Sequence, residues 1–266
     1  MAYEIWVCIY AHLAALAEDG HEYLDASFVE VAKGALLRYR YRTQDARDCF
    51  QRAGLSDVIP IERYSDVLEF YLSLRHSFQR GEFNVFYSRL SPLAIALARE
   101  SLEKSFGFPI NTYIRVRNPR RSNEEALYFS QIQKERPELA RMVEDECRYS
   151  QPIKDDSLKL ILFHAIMTVC ARVSGDDDLK TLAVDFQWIR DQERKLRNYV
   201  DHHMVALNEK IVCEHAQAKR VRDIIEQFDK LFIRVYRADA SLSFQAAHLN
   251  SYQKMDKALA GLLERA

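Results

Sequence analysis

The chain has 266 residues, of which 48% are hydrophobic and 29% charged, with 38 Lys and Arg against 39 Asp and Glu. That is enough apolar material for one large core or two smaller helical subdomains, and a formal net charge of −1 gives no overall field to capture nucleic acid, so any RNA contact must come from a local patch. The five cysteines, Cys8, Cys49, Cys147, Cys170 and Cys213, are far apart, odd in number and never paired as C-x-x-C, which argues against a disulfide framework or a zinc site and predicts reduced thiols.

The start, Met-Ala-Tyr-Glu-Ile-Trp, has no basic leader, and charges interrupt every apolar stretch well before a membrane-spanning length. The expectation is a cytoplasmic protein with no membrane contact. Only seven glycines and six prolines punctuate the chain, and apolar residues recur at spacings of three and four, so an all-α protein of about ten helices is predicted.

In chain order, Tyr39 and Tyr41 alternate with Arg38, Arg40 and Arg42; amphipathic helix packing is the expected use, with base stacking the alternative. A helix over Val67, Tyr71, Leu74 and Phe78 follows the break at Gly54 to Pro60. The longest non-periodic stretch, Phe106 to Asn123, holds Arg115, Arg117, Arg120 and Arg121 and reads as a basic linker over 107–122. It would divide an N-terminal helical region, 1–106, from a second helical domain, 123–266. Beyond it, Leu158, Ile161, Leu162, Ala165, Ile166, Val169 and Val173 mark an apolar helix, and Asp176 to Asp178 read as the capping start of the next one rather than as a cation site. A last strong stripe runs through Val221, Ile224, Ile225, Phe228, Leu231, Phe232 and Val235.

The helix that starts near Asp178 carries the most informative string, Arg197-Asn198-Tyr199-Val200-Asp201-His202. Leu182, Phe186, Ile189, Leu196, Val200 and Leu207 keep to one stripe, while Arg190, Arg194, Asn198 and His202 form an i, i+4 row off that core face. His203 falls on the stripe and is expected to pack. Arg190 and Arg194 extend the row as RNA-binding cations, because guanidinium groups suit phosphate. His202 is the candidate base for a ribose 2′-hydroxyl, Arg197 supplies charge to the phosphate, and Asn198 holds the geometry. On a straight helix Asn198 and His202 lie about 40° apart but Arg197 and His202 about 140° apart. Either the arginine reaches around, the helix bends, or two copies of the helix share one cleft across a two-fold axis.

This Arg-Asn-x-x-x-His string late in an all-helical chain resembles the HEPN superfamily of ribonucleases, and more narrowly the CRISPR-associated accessory ribonucleases of type III (Csm) systems. The segment Gly81-Glu-Phe-Asn-Val-Phe-Tyr-Ser-Arg-Leu-Ser-Pro-Leu93, which follows an aromatic helix, is similar to the helical region those proteins carry before the motif. The resemblance implies a multi-helix HEPN bundle over the third region, 123–266, with an additional helical subdomain. It also implies a homodimer that cuts single-stranded RNA without metal or cofactor, leaving a 2′,3′-cyclic phosphate and a 5′-hydroxyl, in CRISPR-linked antiviral defence. A non-catalytic HEPN scaffold or interaction subunit is the alternative. Family members usually carry a CARF domain that binds cyclic oligoadenylate; no alternating strand-helix pattern of that kind runs through the first hundred residues, so this ligand is expected only where such a domain is separate or missing from the chain. Asp201 stands where the family often has a small residue, and a carboxylate there would raise the pKa of the neighbouring base or orient it.

Overall fold

A computed structural model describes residues 7–13, 15, 26–59, 65–117, 124–147, 153, 155–197, 199, 206–237 and 246–263. The described chain is almost wholly helical, as the spacing predicts. It divides into two compact units, Met1–Arg80 together with Ala240–Ala266, and Gly81–Asp239.

In the first unit residues 7–13 form α1, followed by α2 (Ala26–Tyr39), α3 (Thr43–Arg52) and α4 (Asp66–Gln79). Helices α2 and α3 approach closely at Gly34, where an added Cβ would sit 3.1 Å from the Phe50 ring. The turn between them has neither glycine nor proline; Tyr41 instead takes the left-handed conformation, φ 57°, which a non-glycine residue adopts only at a cost. The run Arg38 to Arg42 is therefore the end of a helix and a turn. Arg38 is fully buried, Tyr39 packs edge-on against Tyr252 with ring centres 5.5 Å apart, and Tyr41 meets Phe70 at 5.8 Å.

The partner of Arg38 comes from far along the chain. Its Nε donates to Glu69 Oε1 at 2.7 Å and its Nη2 to Ser251 Oγ at 2.8 Å, while the Tyr252 hydroxyl donates to the same Glu69 oxygen at 2.8 Å. The guanidinium also lies 3.9 Å over the Tyr252 ring. These contacts bind the C-terminal helix, Ser251–Leu263, to α2 and α4 inside one unit.

The second unit contains α5 (Phe83–Ser88), α6 (Leu90–Lys104), α7 (Phe129–Glu135), α8 (Pro137–Cys147), α9 (Leu160–Ser174), α10 (Asp177–Gln192), α11 (Glu209–Ala216) and α12 (Val221–Arg237). Helix α9 is apolar on nearly every side because α6, α8 and α10 surround it; Phe163, Ile166, Met167 and Val169 are fully buried. Gly175, φ 73°, ends α9, and Asp176 starts α10 by accepting hydrogen bonds from the Asp178 and Leu179 amides at 2.8 and 3.3 Å. The three aspartates thus act as a helix start.

The division differs from a boundary at 107–122 between regions 1–106 and 123–266. Phe108, Ile110 and Tyr113 are buried inside the second unit, and the chain continues from a 3-10 turn, Ile110–Tyr113, into strand β1 (Ile114–Val116). Strand β1 pairs antiparallel with β2 (Glu125–Leu127), and β2 with β3 (Asp156–Ser157), in the order β1-β2-β3. Over its described part, 106–117, the stretch lacks helical period because it is a short 3-10 turn and a strand packed into the second unit. The boundaries fall instead after Arg80 and after Asp239, where the chain leaves the first unit and comes back to it.

Candidate active site

Helix α10 presents Leu182, Phe186 and Ile189 to the core, and Trp188 meets Phe228 of α12 at 4.9 Å in an edge-on contact. Directly after it, Glu193–Arg197 is a π-helical turn. Such a turn bonds i to i+5 and holds one extra residue, so the 3.6-residue register does not pass through it unchanged. Leu196 still reaches the core, fully buried. The angular row drawn on a straight helix therefore does not carry unchanged across this turn.

The structure separates the two row arginines. Arg190 is half-buried, its Nη1 3.4 Å from Gln187 Oε1, and its charge acts on Cys147 and His164 of the neighbouring helices. Arg194 is exposed, with Nη2 3.8 Å from Asp191 Oδ1. Arg197 is the last residue of the π turn, but its side chain lies outside the described residues, as do Asn198, Asp201, His202 and His203.

What is described is the frame that holds this stretch at both ends. Before it, Leu196 is fixed in the core. Within it, the Tyr199 ring lies 4.7 Å from that of His215 on α11, tilted by 60°. After it, Leu207 is buried and its amide donates to Asn84 Oδ1 of α5 at 2.7 Å, and Asn208 caps α11 by accepting from the Ile211 amide at 3.0 Å. Asn84 belongs to the Gly81–Leu93 segment, so that segment and the motif stretch are tied by a hydrogen bond across 123 positions. Asn84, Tyr199 and His215 carried no local signal of this joint role; it arises from tertiary contacts alone.

Next to α10 a cavity of about 440 Å³ is lined by Glu146, His164, Thr168, Arg172, Lys180 and Gln187. Burial, and then the Arg190 charge, hold the His164 imidazole below its ordinary pKa, so it is neutral where an exposed histidine would begin to charge. Partial burial likewise pushes the Cys147 and Cys170 thiols up to about 11, so both stay protonated at neutral pH. Among the described residues no three His, Cys, Asp or Glu side chains gather as a metal-binding group. No described helix is long and apolar enough to cross a membrane. Of the basic loop, Arg115 donates to Gln131 Oε1 at 2.7 Å and lies 5.7 Å from the Tyr128 ring, whereas Arg120 and Arg121 lie outside the described residues.

Compared with known families, residues 58–260 match the model described as the Cas_Csm6 HEPN domain. No curated protein matches the chain.

Proposed function

The chain belongs to the Cas_Csm6 HEPN domain family, and from that premise we propose that it is a metal-independent endoribonuclease that cuts single-stranded RNA in CRISPR-linked antiviral defence. The observation that carries the reading is the position of Arg197-Asn198-x-x-x-His202 inside the matched span, starting on the last residue of a π-helical turn and flanked in sequence by two buried residues, Leu196 and Leu207.

In this reading His202 takes the proton from the 2′-hydroxyl, the oxygen attacks the adjacent phosphorus, and the 5′-oxygen leaves with a proton from the second histidine of a homodimer. Arg197 stabilises the charge that builds on the phosphate, and Asn198 holds the groups in place. Imidazole titrates near neutral pH, so a symmetry-related pair supplies one base and one acid. Arg194, open to solvent, guides the RNA backbone; the half-buried Arg190 adds positive potential behind it. Cyclic oligoadenylate enters only where a CARF domain acts together with this chain.

The test is cleavage of an end-labelled single-stranded RNA in excess chelator. Cutting with 2′,3′-cyclic phosphate termini is expected. Dependence on added metal would overturn the mechanism, and a folded protein that cuts no RNA would turn the reading to a HEPN scaffold.

A further inference from the structure

The cavity of about 440 Å³ beside α10 lies in the groove between α9 and α10, which pack together on either side of the Gly175 turn, and its lining falls wholly within the second unit. Each of the two helices gives it one face, with lining residues at helical spacings of three and four. Its deep part is Ala171, Ala183 and the imidazole of His164, all buried. Thr168 and Gln187, half-buried, add a hydroxyl and a carboxamide, and Thr168 Oγ1 lies 3.4 Å from His164 Nε2. The rim is open: Val184 is 67% exposed, and Arg172 and Lys180 both reach solvent there. Glu146 pairs with Arg172, and Asp177 with Lys180 at 2.7 Å. A guanidinium has five N–H groups and an ammonium three, so each cation keeps donors for a further anion. Apart from burial, the charge that acts most strongly on His164 is that of Arg190, ahead of that of Glu146.

A pocket with apolar walls, a few polar groups inside and cations at its mouth fits a ligand that is apolar on its faces, polar at its edge and anionic at one end. A nucleotide is built that way: the base has flat faces and a hydrogen-bonding edge, and the phosphate suits a guanidinium or an ammonium. An inorganic anion alone would have no use for Ala171 and Ala183. An apolar helix seated in the groove would cover the Gln187 carboxamide and both rim cations without giving them a partner. We propose that this cavity binds one nucleotide, with its base between α9 and α10 and its phosphate at Arg172 and Lys180. In the nuclease reading, on which this second step rests, the occupant is an unpaired nucleotide of the substrate strand. Gln187 stands about 15 Å of helix rise before Arg197, a length that roughly four stacked nucleotides span. Positive charge continues along that length, with Arg190 3.4 Å from Gln187 and Arg194 exposed beyond it. A free mononucleotide offers the same chemistry, and the experiment separates the two sources.

Saturation-transfer NMR of the full chain with 5′-UMP or 5′-AMP reads the site, because the methyl groups of Ala171, Ala183 and Val184 would pass magnetisation to the base protons. Wild type should give base-proton signals with both. Arg172→Gln combined with Lys180→Gln, two exposed positions, should weaken nucleotide binding about 10-fold and leave the matching nucleosides, which lack the phosphate, bound as before. Gln187→Leu should weaken nucleotide and nucleoside alike, by about 3- to 10-fold, which loss of surface charge would not do. Circular dichroism checks the fold of each variant. A single-stranded RNA is then bound to His202→Ala with and without the double substitution and followed by fluorescence anisotropy. A loss of about 10-fold there assigns the cavity to the strand, and an unchanged affinity assigns it to a free nucleotide. No transfer to the base protons in wild type, or nucleotide binding that none of these substitutions alters, overturns the proposal. A chain that binds nucleotide through these residues but cuts no RNA would keep the cavity and remove the nuclease reading instead.

Discussion

The two units use polar groups in opposite ways. In the first, Arg38 and Glu69 are withdrawn from water entirely and joined to Ser251 and Tyr252, so polarity sits inside the core and specifies which helices meet. In the second, the ion pairs Arg99–Glu125, Arg172–Glu146 and Arg234–Asp185 lie near the surface, and the residues that α9 buries are apolar apart from His164. A buried ion pair is hard to lose because removing one partner strands the other charge. Surface polar groups contribute little to folding, which leaves them free for chemistry. The first unit should therefore fail structurally when its polar residues are changed, and the second should fail functionally.

The largest expected effect is in the first unit. Glu69→Ala leaves the Arg38 guanidinium buried without its carboxylate and should destabilise the protein by about 3–5 kcal/mol in chemical denaturation. Replacing both partners by Arg38→Met and Glu69→Leu should restore most of that, since no charge is then left behind. A loss below about 1 kcal/mol for Glu69→Ala would mean that the pair behaves as a surface salt bridge, and the contrast between the units would break.

A smaller effect sharpens the same contrast in the second unit. His164, held neutral by burial and by Arg190, binds a proton less readily folded than unfolded. Its contribution to stability is complete above the ordinary imidazole pKa of 6.5 and is lost as pH falls below that towards the lower folded value. Between pH 7 and pH 5 the Tm of wild type should fall further than that of His164→Gln, by a few degrees at most. Equal falls would contradict the buried neutral state.

Which features were readable in advance follows from whether their cause is local. Repeats of three and four give the helices, and Leu182, Phe186 and Ile189 of α10 are buried as their spacing requires; Leu196 and Leu207 are buried beyond its end, and Val200 lies outside the described residues. Gly175 with Asp176 marks the stop and start between α9 and α10, because those residues satisfy orphan backbone groups on the spot. The turn at Tyr41 had no such sign, since a tyrosine in the left-handed region is held by its surroundings rather than by preference. Strands of two and three residues are too short to show a period, and so Ile114–Val116 read as linker. The return of Ser251 and Tyr252 to Arg38 and Glu69 spans some 180 to 210 positions and leaves no local trace. At the candidate site the motif was legible as a string, while the π-helical turn that ends on Arg197 had no sign in the spacing and breaks the row on which Arg190 and Arg194 were placed.

The central claim is that the motif of the second unit carries chemistry rather than stability. Its most direct test is the rate of single-stranded RNA cleavage by His202→Ala beside wild type, with thermal unfolding followed on the same samples. The account predicts a loss of cleavage of 100-fold or more, on the order expected for removing a general base, with Tm within a few degrees of wild type. Cleavage by His202→Ala at the wild-type rate would contradict it.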